Sequence, residues 1–82
     1  MLQDVVLPID QIYVPAKHRG RLDEGKVEEI AESIIDEGQR TPIQVRQGKG
    51  RYVLVTGLHR LEAMRSLGED TIKALIVSAP KN

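Results

Sequence analysis

An amphipathic helix in the first half of the chain places the strongest constraint on the fold. Apolar residues recur there at the i, i+3, i+4, i+7 and i+8 spacing of one helix face: Val27, Ile30, Ala31, Ile34 and Ile35. Asp23 is a good N-cap residue and Gly38 is a good C′ residue, so the helix is predicted to run from about residue 24 to about residue 37. The stripe predicts one buried face, which the rest of the chain must cover.

Short strands and a second helix are predicted around this first helix. Residues 5–9 have the character of a strand, and Pro8 indicates a sheet edge or a strand end. The remaining predicted elements are a basic loop over 14–21, a hairpin over 42–56, a helix from Gly57 to Gly68, a strand over 71–77 and a tail over 78–82. The order is β-loop-α-β-β-α-β, which predicts an α+β fold with a mixed sheet in a single domain, residues 1–82.

Composition excludes several functional classes. The chain has 82 residues and no cysteine, which rules out a disulfide framework, a thiolate metal site and a cysteine nucleophile. No apolar run approaches the ~20 residues of a membrane span, and no signal sequence follows Met1, so a cytoplasmic protein without membrane contact is expected. Zero net charge and only two aromatic residues argue against a general nucleic-acid coat or a base-stacking platform.

The charge is nevertheless strongly divided along the chain. Residues 23–39 carry a net charge of −6, whereas residues 40–61 carry +5 without any acid. A local anion site is therefore compatible with the neutral total.

A strand–glycine–helix junction is the best candidate for chemistry. Thr56, Gly57, Leu58, His59 and Arg60 follow each other there. A helix start offers free backbone N–H groups, the glycine permits close approach, and the two basic side chains can donate to an anion. The pattern predicts a phosphate-binding turn. Taken singly, each residue also has a structural explanation: Thr56 as an N-cap, Gly57 as a backbone requirement, and His59 and Arg60 as surface residues.

Four further residues are candidates for the same site. Lys26 is the one base among seven acids, and it stands in the first helical turn, where a cation opposes the helix dipole. An ion pair with Asp23 or Glu29 is the more common role of such a lysine. Ser33 is a candidate two turns further on, although a mid-helix serine is usually solvated. The basic loop contributes Arg19 and Arg21, either as phosphate ligands or as solvated side chains. The pattern predicts no metal site.

Several stretches together resemble the ParB N-terminal/sulfiredoxin-like superfamily, and within it stand-alone ParB-like nuclease or partition domains. The matching stretches are residues 7–12, 21–23, 27–34, 41–45, 52–63, 67–68 and 72–74, and the Gly57-Leu58-His59-Arg60 turn is the most specific. In ParB-type members the corresponding turn holds the phosphates of CTP, and in sulfiredoxins it holds ATP. The resemblance therefore implies CTP or ATP, with or without Mg²⁺, as ligand. It implies contacts from Gly57, His59, Arg60, Lys26 and Ser33, and from one residue of the basic loop, either Arg19 or Arg21.

The sequence also departs from these families. Leu58 stands where sulfiredoxins have their reactive cysteine, so a thiol-based sulfinic acid reductase is excluded. The helix-turn-helix and dimerisation domains of ParB proteins do not follow, so DNA association is expected through a partner or a further domain, and a homodimer stays open. The second ParB nucleotide motif lies beyond this domain, which leaves hydrolysis, and enzyme activity in general, undecided.

The leading hypothesis is a nucleotide-phosphate-binding module that acts in plasmid or chromosome partition or in DNA-linked regulation. One alternative is a small ATP-dependent phosphotransferase or nucleotide hydrolase, with Asp10 or Asp23 as the carboxylate. A second is a protein-interaction adaptor without ligand chemistry, which would contact its partner through the acidic helix face or the basic hairpin; an Arg60 held by Glu62 or another acid would favour it. A third is weak binding of the DNA backbone through the +5 segment.

Overall fold

The computed structural model of the protein describes residues 4–78, which form five strands and three α-helices. The elements in chain order are β1 (Asp4–Pro8), a 3-10 helix (Ile9–Gln11), β2 (Ile12–Tyr13), α1 (Ala16–Arg19), α2 (Glu24–Glu37), β3 (Ile43–Gln47), β4 (Tyr52–Thr56), α3 (Leu58–Ser66) and β5 (Thr71–Ile76). The fold is the small α+β domain with a mixed sheet that the sequence predicts. Of the predicted tail over 78–82, all but Ser78 lies outside the described residues.

The five strands form one sheet in the order β1-β5-β3-β4-β2. Strand β1 pairs antiparallel with β5, and β3 pairs antiparallel with β4, whereas β3–β5 and β2–β4 are parallel pairs. The two edge strands, β1 and β2, are joined by only three residues. Four Cα-to-Cα steps from Pro8 to Ile12 reach at most about 15 Å, whereas a flat sheet of five strands separates its edges by about 19 Å. The sheet must therefore curl, which brings its edges closer together.

Helix α2 has the bounds and the caps predicted from the sequence. Oδ1 of Asp23 accepts hydrogen bonds from the backbone N–H groups of Gly25 and Lys26, at 2.9 and 3.3 Å. At the other end, Gly38 has a φ of 75°, and its N–H donates to the carbonyl of Ile34 at 2.8 Å. The predicted stripe is only half-buried, at Val27, Ile30, Ala31 and Ile34. The prediction that Ile35 belongs to it is wrong, because 69% of Ile35 is exposed.

The core lies between the sheet and the two longer helices. Helix α3 contributes Leu58, Leu61 and Met64 to a buried cluster with strand residues such as Ile43 and Ile72. Helix α2 packs on α3 and adds Ile34 at the margin of this cluster. Among residues 4–78 no polar or charged residue is buried, so the side chains that could perform chemistry are at the surface.

Three short elements differ from the sequence prediction. Strand β1 ends at Pro8, as the proline indicates, and Ile9 instead begins the 3-10 helix, where its N–H donates to the carbonyl of Asp70. The predicted loop over 14–21 contains the four-residue helix α1, and the two-residue strand β2 precedes it.

No helix within residues 4–78 is long and apolar enough to cross a bilayer.

Candidate functional site

The backbone between β4 and α3 forms a turn at Gly57. Its φ of 114° and ψ of 28° place it in the left-handed region, and it is the N-cap of α3. Thr56 is exposed and is not the cap, and the cap position makes no side-chain hydrogen bond. The first intrahelical bond runs from the N–H of Leu61 to the carbonyl of Gly57, at 2.9 Å. The N–H groups of the first turn are therefore available to a ligand.

Gly57 also has a packing role that fully accounts for the absence of a side chain. A Cβ at this position would lie 2.5 Å from Cγ2 and 2.9 Å from Cβ of Ile43, which is completely buried. The positive φ adds a second restriction, since L-residues rarely adopt it. Gly57 is thus required by the fold itself, and its presence alone does not identify a ligand site.

His59 connects the first turns of the two long helices. Its Nε2 accepts a hydrogen bond from the backbone N–H of Asp23 at 3.0 Å, although the two residues are 36 positions apart. This bond assigns the proton of the neutral imidazole to Nδ1. Only Nδ1 of His59 can therefore donate to a phosphate, and this contact stays a prediction. The bond also places the positive dipole ends of α2 and α3 side by side.

A shallow cleft of about 270 Å³ lies at the turn and contains part of the predicted site. Its lining residues are His18, Arg21, Val55, Thr56, Gly57, Leu58 and His59. The sequence does not decide whether Arg19 or Arg21 is the loop arginine that contacts the ligand; in the structure, Arg21 lines this cleft. His18 also lines it and is not among the residues singled out from the sequence, where its position in a basic loop is the one available signal.

Ser33 and Arg60 lie in a second, more polar cleft of about 430 Å³ between α2 and the start of α3. Thr41 and the ion pair between Arg40 and Glu37, 2.7 Å long, complete its rim. Among residues 4–78, Arg60 forms no ion pair, so the acid contact that would favour the adaptor alternative is not found there.

Lys26 and Arg19 are not part of the lining of the cleft at Gly57. Lys26 is exposed in the first turn of α2, and within the described part of the chain it pairs with neither Asp23 nor Glu29. Nε of Arg19 donates to the carbonyl of Val14 at 3.1 Å, and its guanidinium lies 5.7 Å from the ring centroid of Tyr13. Arg19 therefore holds its own loop in place.

Neither predicted carboxylate is clearly placed for catalysis. Asp10 is exposed in the 3-10 helix and is not part of the lining of the cleft at Gly57. One oxygen of Asp23 caps α2. In the part of the chain that the structure covers, no group of three or more histidine, aspartate or glutamate side chains could hold a metal ion.

The turn, the flanking helices and the curled sheet can be compared with known families. Residues 3–82 match the family model of the ParB N-terminal domain. The chain belongs to this family. The chain is 40% identical over 72 residues to a nucleoid occlusion protein from Halalkalibacterium halodurans, a match over 85% of the chain and 25% of that protein. It thus spans about a quarter of the length of that relative.

Sulfiredoxin from Arabidopsis thaliana shares the fold as well as sequence. It is 36% identical over 77 residues, covering 94% of the chain and 62% of that protein. Its crystal structure matches the ParB N-terminal domain with a TM-score of 0.84, over 94% of this chain and 86% of that one. ParB from Caulobacter crescentus, crystallised with CTP-γ-S, matches with a TM-score of 0.81 at 24% identity, over 96% of this chain and 46% of that one. That last likeness shows the fold alone.

Proposed function

We propose that this ParB N-terminal domain binds the phosphates of a nucleotide, CTP or ATP, at the Gly57 turn, with or without Mg²⁺. In the cell this binding would serve chromosome or plasmid partition, nucleoid occlusion or other DNA-linked regulation. The observation that carries the proposal is the uncapped start of α3 in a cleft that Arg21 and His18 also line.

Three physical features of the turn favour a phosphate. The unpaired N–H groups of the first turn of α3 point away from the helix and suit anionic oxygens. The adjoining start of α2 adds a second positive dipole end. Arg21 supplies a full positive charge that can donate two parallel hydrogen bonds to phosphate oxygens. The negative charge of Asp23 would oppose a bound anion. Part of this charge is offset, because Oδ1 accepts hydrogen bonds from backbone N–H groups of its own helix.

The rest of the nucleotide has room beside the turn. Arg60 follows His59 directly on α3, and it lines the cleft that contains Ser33, whereas His59 lines the cleft at Gly57. The cleft at Ser33 has about 430 Å³, which lies within the ~300–1,000 Å³ of small-molecule sites, and the cleft at Gly57 has about 270 Å³. We assign the phosphates to Gly57 and Arg21, the nucleoside to the side of Ser33, and Arg60 to the region between them. Lys26, exposed on the first turn of α2, lines neither cleft but supplies a further cation near the start of that helix. The C. crescentus ParB that shares this fold was crystallised with CTP-γ-S.

Calorimetric titration of the full chain with CTP and with ATP, each with and without Mg²⁺, tests the proposal. Binding of one nucleotide is expected, and Arg60→Ala should weaken it roughly ten-fold or more, because a charge-assisted hydrogen bond is lost. Arg65→Ala is the matched control: it removes the same charge from the same helix, but Arg65 lies 3.6 Å from Glu62 and outside both clefts. No binding at millimolar nucleotide, or equal losses in the two variants, would refute the proposal.

A further inference from the structure

Residues 12–22 and helix α3 line a groove that is distinct from both clefts of the proposed nucleotide site. The groove has about 420 Å³, shares only Leu58 with the cleft at Gly57, and shares no residue with the cleft at Ser33. We call it the Tyr13 groove. Its lining combines apolar side chains with arginines, among them Tyr13, Val14, Arg19, Leu22, Leu58 and Arg65. The proposed nucleotide site uses none of these arginines.

Two guanidinium groups lie against the ring of Tyr13. That of Arg51 is 3.8 Å from the ring centroid and that of Arg19 is 5.7 Å from it, both within the ~6 Å of a cation–π contact. Nε of Arg19 also donates to the carbonyl of Val14 at 3.1 Å, which leaves its Nη groups as donors for a partner. The ring and the carbonyl therefore hold the two side chains in place without using up their hydrogen-bonding capacity.

The positive charge of the Tyr13 groove is only partly compensated. Within the described range 4–78, Arg19 and Arg51 form no ion pair. Arg65 lies 3.6 Å from Glu62, and both side chains are partly exposed. This separation exceeds the ~2.7–2.9 Å of a charge-assisted hydrogen bond, so the contact is weak. Three guanidinium groups thus surround a groove whose lining contributes one carboxylate, and a partner with several carboxylates would complement them.

The apolar part of the Tyr13 groove favours a peptide over a nucleic acid as the partner. Leu58 is buried there, whereas Leu22 is 41% exposed, so a partner can cover further apolar surface. Because Arg51 lies on the ring of Tyr13, that face of the ring is not available for stacking of a nucleobase. A phosphate backbone would pair with the arginines but would leave Leu22 uncovered. A peptide can supply both carboxylates and an apolar side chain.

We propose that the Tyr13 groove binds an acidic segment of a partner protein, with an apolar side chain placed between its carboxylates. The carboxylates pair with the planar guanidinium groups of Arg19, Arg51 and Arg65, and the apolar side chain covers Leu22. Because Arg19 and Arg51 are already held at the ring, binding costs less side-chain entropy than it would at mobile arginines. This interaction does not depend on nucleotide binding at Gly57.

Fluorescence anisotropy with a labelled, end-blocked peptide of the sequence Glu-Asp-Leu-Asp-Glu, titrated with the full chain, tests the proposal. Arg51→Glu and Arg65→Glu should each weaken binding on the order of ten-fold, because attraction becomes repulsion. Lys49→Glu is the matched control: it makes the same charge change in the turn between β3 and β4, but Lys49 does not line the groove. Leu22→Ser should weaken binding several-fold through the lost apolar contact. Thermal unfolding followed by circular dichroism verifies that each variant is folded.

Variants of the probe separate the possible occupants. A peptide with serine in place of leucine, and one with amides in place of the four acids, should each lose most of the binding. Equal binding of the leucine and serine peptides, or tighter binding of a DNA duplex, would identify a general anion surface and overturn the proposal. Sedimentation velocity of the free chain detects the remaining occupant: self-association that Arg65→Glu abolishes would make it a second copy, which also overturns the proposal.

Two further results would refute the acidic-segment assignment. One is the absence of binding at millimolar peptide, and the other is an equal loss in Lys49→Glu and Arg65→Glu. The nucleotide titrations are read separately, because Arg51 and Leu22 line neither cleft of the proposed nucleotide site. Peptide binding without nucleotide binding would leave this inference intact and remove the proposed function, and the reverse result would do the opposite.

Discussion

Substitution of Gly57 by alanine should destabilise the domain far more than the same substitution at the other end of α3. An added Cβ would meet Cγ2 of Ile43 at 2.5 Å, and Ile43 is fully buried, so it cannot move aside into solvent. Overpacking of this kind costs typically about 1–3 kcal/mol, and the left-handed conformation costs an L-residue roughly 1–2 kcal/mol more. At about 0.05–0.15 kcal/mol per residue, a chain of this length has only ~4–12 kcal/mol of stability to lose.

Gly68→Ala provides the control, because Gly68 has a φ of 78° but no atom within 4 Å of an added Cβ. The free energy of unfolding of Gly68→Ala should fall only by the cost of the left-handed backbone conformation, roughly 1–2 kcal/mol. Urea unfolding followed by far-UV circular dichroism measures both free energies, and the effect of alanine on the unfolded chain is common to the two variants. The extra loss at Gly57 should shrink in an Ile43→Ala background, which removes the Cγ2 contact. Equal losses for Gly57→Ala and Gly68→Ala would refute the packing argument.

Three further sets of substitutions test other parts of the structure. Asp23→Ala should lower the free energy of unfolding by about 1 kcal/mol, because it removes the cap of α2, and Asp23→Asn should retain most of it. Gln39→Ala should cost roughly 1–3 kcal/mol, because the side-chain amide donates to the carbonyl of Lys73 and accepts from its N–H, at 2.9 and 2.8 Å. Ile35→Gln should change stability by less than about 0.5 kcal/mol, whereas Ile34→Ala should cost more, because only Ile34 packs against the core.

Chemical denaturation checks all three results, and hydrogen exchange locates the first two. For Asp23→Ala, faster amide hydrogen exchange is expected at the start of α2. An equal increase in the exchange rate along the whole helix would contradict the capping role. For Gln39→Ala, the amide of Lys73 should lose protection. A large loss of stability in Ile35→Gln would show that this side chain is buried after all.

The elements that local sequence determines were predictable. Helix α2 was located because Asp23 and Gly38 mark its two ends and the apolar spacing lies between them. The hairpin of β3 and β4 and the passage through Gly57 into α3 follow from alternation and turn residues in the same way.

Features that depend on contacts between distant residues were not predictable. Strand β2 has two residues, and it exists because it pairs with β4 about 40 positions away. Ile35 fits the helical stripe, yet the core is narrower than the stripe and leaves it in solvent. The bond from Asp23 to His59 joins residues 36 apart, so nothing in the local pattern indicates that this histidine has a structural partner.

Two hydrogen bonds fix the segment between Tyr13 and Asp23. Nε of Arg19 donates to the carbonyl of Val14 near the start of the segment, and the N–H of Asp23 donates to Nε2 of His59 at its end. Folding has therefore already removed most of the backbone freedom of the residues that carry His18 and Arg21. A ligand that binds against this segment would lose little additional conformational entropy, so more of its contact energy would appear as affinity. Loss of either hydrogen bond, for example in Arg19→Ala, should then slow ligand association or weaken ligand affinity, although no residue that lines the cleft at Gly57 is changed.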